Sequence, residues 1–227
     1  MHVYLDIETI PATMTEAEAR AMVKVPGNIK KPETMARHID SNWKKVVERT
    51  SLDPHRGSVF CAVVGTDQDD SVEVFRLDDS GCEETLLRQL GACLLRQRSK
   101  MADAEGAPTL VGWNSEGFDL PWLWRRAVLH GVSSLCEVIP HGVRGREGWR
   151  SLDLMAYWAG TNGYGSGRYV KMAEVCDFLS IDCPPNGSSV AGWYQAGELD
   201  KIVQHCCDDV LAMREVWNRV QLASLPF

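Results

Sequence analysis

The chain has 227 residues, long enough for one sizeable domain with its own core, or for a domain carrying a large insertion. Its 44% hydrophobic and 24% charged residues are ordinary for a globular protein, and no apolar run is long enough to cross a bilayer as a helix. A net charge of −7 excludes a protein that coats nucleic acid non-specifically, but not an enzyme that meets phosphates through bound divalent cations.

The N-terminus has no basic-then-apolar leader, and a first strand starting almost at Met1 argues against a cleaved signal, so the expected location is cytoplasmic, with no membrane partner. The eight cysteines include no C-x-x-C pair. Cys61, Cys93 and Cys176 fall within apolar patterns, which predicts buried free thiols rather than disulfides. Cys206-Cys207 lacks the second pair or histidine spacing of a zinc site.

In chain order, Val3-Tyr4-Leu5 opens a buried strand, and residues two apart in a strand share a face, so Asp6 and Glu8 project side by side from its end. Two crowded carboxylates repel unless a proton or a cation sits between them. From Pro11 the chain is polar to about His55, with helical stretches at 15–24 and 32–49, a break at Pro26-Gly27 and a turn over 53–57. Residues 11–57 therefore read as a helical insertion after the first strand, either a cap or a surface decoration. Ser58 to Thr66 is a β-branched strand, 67–70 a turn and 72–77 a second strand, giving a hairpin. Leucines at 86, 87, 90, 94 and 95 place a helical stripe within 82–97. A polar loop through 103–106 leads to a strand at 109–113, and Asn114 to Asp119 then opens a helix running to His130.

Residues 144–149 form a basic loop, 151–159 a predicted helix, and the glycine-rich 160–167 a mobile segment that lacks the phosphate-loop pattern. A helix at 171–179, a turn at 184–187 and a long final helix over 197–221 complete the chain. Basic groups at Lys30-Lys31, Lys44-Lys45, Arg125-Arg126 and among Arg144, Arg146, Arg150, Arg168 and Lys171 read as solvated faces with the charge to touch a substrate. With no repeat and no linker, the expectation is a single domain over 1–227 of α/β class.

Three motifs bring the acids into one pattern: Asp6-x-Glu8, Asn114-x-x-x-Phe118-Asp119 and His205-x-x-x-Asp209-Val210. Taken in order, with these spacings, the chain resembles a DEDD-type 3′→5′ exonuclease, and more narrowly the stand-alone relatives of the proofreading domain of family B DNA polymerases. Leu152-Asp153-Leu154-Met155 and Gly187-x-x-Val190 also match segments of that group. The resemblance covers all but roughly residues 11–57. It implies an RNase H-like mixed five-stranded sheet flanked by helices, two Mg²⁺ or Mn²⁺ ions, and hydrolysis of single-stranded DNA, or of RNA, from the 3′ end to nucleoside monophosphates. Protein partners are left open.

By that pattern Asp6 bridges both ions, Glu8 and Asp209 complete the site that activates water, and Asp119 holds the second ion. Hard oxygen ligands suit these metals, and a pair of ions about 3.5–4 Å apart stabilises both ends of an in-line displacement. Asp208 lies about 100° around the helix from Asp209, and the family register selects Asp209. His205 departs from the pattern, standing in the tyrosine slot four residues before the aspartate. A neutral imidazole there is a candidate base for the attacking water. The alternative is a weakened module that binds 3′ ends, or a protein partner, without cutting. The resemblance also assigns Asn114 and Phe118 to the terminal nucleotide, with Phe118 packing on a base or on the core, and the backbone of Thr9 to the 3′ end. Asp153 is outside the four ligands and takes a supporting role.

Overall fold

The computed structural model describes residues 1–78, 80–100, 108–139, 149–160, 169–183 and 190–223. The segments expected at 103–106, 144–149, 160–167 and 184–187 lie wholly or mostly outside them. Two compact units are formed, one from residues 1–8 with 59–227 and the other from residues 9–58. Strand β1 (His2–Ile10) begins in the first and continues into the second.

The second unit holds α1 (Glu16–Ala21), α2 (Pro32–Arg49) and a short 3₁₀ turn over Thr50–Leu52. Thr15 caps α1 by accepting from the Glu18 N–H, and Glu18 returns a bond to the Thr15 N–H, a capping box. Pro32 starts α2 at the one helical turn that tolerates proline.

In the first unit β2 (Ser58–Thr66, all but its first residue) and β3 (Val72–Arg76) form the antiparallel hairpin. They are followed by α3 (Glu83–Ser99), β4 (Thr109–Gly112), α4 (Asp119–Leu129), α5 (Ser133–Val138) and β5 (Arg150–Asp153). Then come α6 (Leu154–Trp158), α7 (Met172–Leu179), α8 (Val190–Ala196) and α9 (Leu199–Ala223). The strands make one mixed sheet in the order β3-β2-β1-β4-β5, with β1, β4 and β5 parallel. This is the five-stranded α/β sheet expected from the sequence.

Two local expectations are corrected. The helix expected over 151–159 is a strand for its first half, because residues 150–153 pair in parallel with residues 109–112 of β4. Partners from elsewhere in the chain override local preference here. Asp153 then stops the strand and starts α6 by accepting from the N–H groups of Met155 and Ala156. The helix expected from Asn114 begins only at Asp119. Asn114 sits at φ 56°, and its carbonyl accepts from the N–H groups of Gly117 and Phe118, closing a turn first.

The core lies between one face of the sheet and α3, α4 and α5. Val3, Leu5 and Ile7 of β1 meet Leu86, Leu87, Leu90 and Leu94 of α3 and Trp122 and Leu123 of α4 there. Each such side chain contributes roughly 1.5–3 kcal/mol on burial. Glu83, the first residue of α3, is buried and accepts from the Val59 N–H at 2.8 Å, from Arg126 of α4 and from His130 at 2.8 Å. The opposite face of the sheet receives α9. A Cβ on Gly65 of β2 would meet Val210 Cγ1 at 2.9 Å, so the missing side chain is what lets the helix approach. No described helix is long and apolar enough to cross a membrane.

Candidate active site

The alternation of β1 divides its residues between the two layers: Ile7 enters the core while Asp6 and Glu8 turn toward α9. They stand near the carboxyl end of a parallel strand, the region where α/β sheets collect their binding groups. Asp6 Oδ2 is 3.1 Å from Cys206 Sγ on α9. Glu8 Oε1 is 3.5 Å from His205 Nε2, and Asp209 Oδ2 is 3.7 Å from the same nitrogen, His205 and Asp209 lying one helical turn apart on one face. Ligand atoms of Glu8, His205 and Asp209 all fall within 4.8 Å of one another.

Asp119 arrives from the next parallel strand, just after the turn that follows β4. Gly112 makes that turn possible, since a Cβ there would meet Ser115 Cβ at 2.5 Å and the Leu5 carbonyl at 3.3 Å. Buried at the first position of α4, Asp119 accepts the Ile7 N–H at 3.2 Å, which ties the helix start to the strand between Asp6 and Glu8.

The electrostatics report how close these acids are. Burial raises the pKa of Asp6 well above the usual carboxylate range, and repulsion from Asp209, Asp119 and Glu8 adds to it. Glu8 is likewise raised well above its ordinary value by burial, then by Cys61, Asp209 and Asp119. Burial is also the first cause for Asp209, raised to about 7 with Asp208 and Asp119 adding, and for Asp119, raised to about 7 although backbone N–H groups oppose it. Burial pushes the His205 pKa down, so its imidazole is neutral at pH 7. His205 Nδ1 is buried with no hydrogen-bond partner among the described residues, and Trp193 meets the ring edge-on at 5.8 Å. Among the described residues, His205 is the only basic side chain within 4 Å of these four acids. A site of this kind suits a divalent cation: the donors are hard oxygens, and among the described residues no lysine or arginine pairs with them.

The neighbouring positions resolve the register. Asp208 accepts from Gln204 Nε2 at 2.7 Å on an exposed part of α9, and its charge is felt by both His205 and Asp209. Asp153 receives the N–H groups of Asn114 (3.0 Å) and Glu116 (3.2 Å) on one carboxylate, so it holds the 114–118 turn in place. Asn114 Oδ1 lies over Gly117, where a Cβ would meet it at 2.6 Å. Phe118 is half-buried against the core and packs on Trp122 at 6.0 Å. Thr9 belongs to the second unit, and its hydroxyl donates to the Ser51 carbonyl at 2.6 Å, which leaves the backbone role expected of it untouched.

Sequence reasoning missed the thiol of Cys206 beside Asp6, with Cys61 of β2 against it. The adjacency of Cys206 to His205 on the motif helix was the available signal.

A family model described as a predicted 3′→5′ exonuclease related to the exonuclease domain of PolB matches residues 52–225. The chain belongs to this family. The matched part of this exonuclease-family chain contains Asp119, His205 and Asp209, whereas Asp6 and Glu8 precede it. Among solved structures, the family B DNA polymerase from the hyperthermophilic archaeon Pyrobaculum calidifontis is similar, with a TM-score of 0.56 and 16% identity. That likeness covers 97% of this chain and 24% of the polymerase, so the chain spans about a quarter of the polymerase's length, and at this identity it is a likeness of fold. No curated protein matches the chain by sequence.

Proposed function

We propose that the protein is a divalent-metal-dependent 3′→5′ exonuclease that releases nucleoside monophosphates from single-stranded DNA. The observation that carries the reading is the convergence of Asp6, Glu8, Asp119 and Asp209 at one place where, among the described residues, no lysine or arginine pairs with them. Two Mg²⁺ or Mn²⁺ ions, held by those four carboxylates, would supply positive charge to both the attacking and the leaving oxygen of an in-line displacement.

The remaining steps belong to the side chains. Asp6 is the acid that feels all three others, which suits a ligand shared between two positions. Neutral His205 presents Nε2 toward Glu8 and Asp209 and takes the proton of the attacking water. The Ile7 N–H and the first turn of α4 orient Asp119. Asn114 and Phe118, set by the turn that Asp153 holds, meet the terminal nucleotide, which must be splayed out of any stack to enter.

The placement of His205 Nε2 between two carboxylates favours a second role for it as a ligand. The two roles separate in one experiment. A 5′-labelled single-stranded oligonucleotide is incubated with Mg²⁺ or Mn²⁺ and the wild-type, Asp6→Ala or His205→Ala chain, with an RNA of the same sequence alongside. A ladder from the wild type that vanishes with Asp6→Ala supports the nuclease. His205→Ala lowers the rate at saturating metal if the histidine is a base, and raises the metal concentration needed if it is a ligand. An unchanged ladder with Asp6→Ala overturns the proposal.

A further inference from the structure

The insertion of residues 9–58 differs in charge from the rest of the chain. It carries nine lysines and arginines against six acids, a net charge of +3, whereas the remainder carries fifteen against twenty-five, a net charge of −10. Its positive charge has a shaped location. A cleft of about 470 Å³ lies between the segment that follows α1 and one face of α2, floored by Val23 and Val46 and rimmed by Lys24, His38, Lys45 and Arg49. Asn42 adds an amide to the same face, and among the described residues no aspartate or glutamate lines the cleft. On α2 the four polar positions 38, 42, 45 and 49 follow the spacing that keeps side chains on one face.

Four of the six acids of this unit are engaged outside the cleft: Glu16 and Asp40 pair with Arg20, Asp53 pairs with Arg56, and Glu18 caps α1. Among the described residues Lys24, Lys45 and Arg49 have no carboxylate within 4 Å. Three unneutralised cations at an open cleft repel one another, an arrangement that an anion relieves. Because α2 contributes no buried residue over its 18 positions, this face is not spent on a core.

We infer that the cleft rimmed by Lys24, Lys45 and Arg49 is a binding site for the phosphodiester backbone of a single nucleic-acid strand. The proposal rests on the nuclease reading only for the identity of the anion. The cleft supplies cationic contacts that the acidic remainder of the chain lacks in net charge, and such contacts add affinity without reading sequence.

The test uses the full chain in EDTA, so that no cutting occurs, with a fluorescent single-stranded oligonucleotide followed by anisotropy across a salt series. The wild type is compared with Lys24→Gln/Lys45→Gln/Arg49→Gln and with the charge-preserving Lys45→Arg/Arg49→Lys. Removing three phosphate contacts flattens the slope of log affinity against log salt by about 2, so the wild type loses roughly twentyfold more affinity than the triple variant between about 50 and 200 mM salt. The charge-preserving variant keeps the wild-type slope, and thermal melting establishes that each variant is folded. Hydrolysis of the p-nitrophenyl ester of thymidine 5′-phosphate with Mn²⁺ reports on the acidic site alone and stays unchanged in the triple variant. An unchanged salt slope in the triple variant, or equally tight binding of polyglutamate, overturns the inference. A lost slope together with an ester that even the wild type leaves intact supports the cleft while refuting the nuclease reading.

Discussion

Replacing Asp209 by asparagine stabilises the metal-free chain. The carboxyl of Asp209 is raised from its ordinary 3.8 to about 7 by burial and by the repulsion of Asp208 and Asp119. Such a group holds its proton more tightly in the folded chain than in the unfolded one. Its stabilising contribution is therefore full below about pH 4 and is lost as pH rises toward 7. A rise of this size corresponds to about 4 kcal/mol at 1.36 kcal/mol per pH unit. Asparagine has the shape of the protonated acid and no charge to desolvate, so it recovers part of that loss at pH 7, about 2–4 kcal/mol. For a chain of this length each kcal/mol moves the melting temperature by about 2–4 °C, which gives a rise of roughly 5–15 °C. The assay is calorimetric or fluorescence melting in EDTA at pH 7, repeated with millimolar Mn²⁺. The wild type gains stability with Mn²⁺ and the variant gains less. A melting temperature that is unchanged or lower in the EDTA sample of Asp209→Asn would refute the claim that these acids are held against their own repulsion.

The same acids set the pH profile. With Asp6, Glu8, Asp119 and Asp209 all raised, the metal-free wild type melts higher at pH 5.5 than at pH 7.5, and Mn²⁺ removes the difference. Away from the site, Glu83→Ala removes the carboxylate that buried Arg126 pairs with and costs about 3–5 kcal/mol, read by urea denaturation. Gly65→Val pushes against Val210 and shifts the helix that carries His205 and Asp209. It lowers the nuclease rate at least tenfold while leaving the chain folded by circular dichroism. Asp153→Ala releases two N–H groups of the 114–118 turn and caps α6 no longer, so substrate affinity falls more than metal affinity.

Where local chemistry and tertiary context agreed, the sequence was legible. Strand β2 has the residues expected of it because a β-branched run ends at turn residues, and α2 starts where Pro32 has the one helical position it tolerates. The acids on β1 were legible for a simpler reason, since alternation fixes which side chains share a face. Other features depend on partners far along the chain. Residues 150–153 have no strong strand signal and become β5 because β4 offers an open edge, and α8 was passed over because Gly197, at φ 72°, separates it from α9. The Asp119 bond to the Ile7 N–H joins residues 112 positions apart, and the Cys206 contact with Asp6 joins residues 200 apart. No local pattern encodes either. His205 was marked by spacing alone, and only the folded arrangement brings its Nε2 to two acids at once, where a ligand and a base compete for the assignment.

The claim beneath all of this is that acids distant in sequence share divalent ions at one place. Electron paramagnetic resonance of free Mn²⁺, titrated into the metal-free chain, measures that directly. The account predicts two bound ions per wild-type chain and the loss of both tight sites in Asp6→Asn, the variant of the one acid that feels the other three. Equal binding by the wild type and by Asp6→Asn would contradict it.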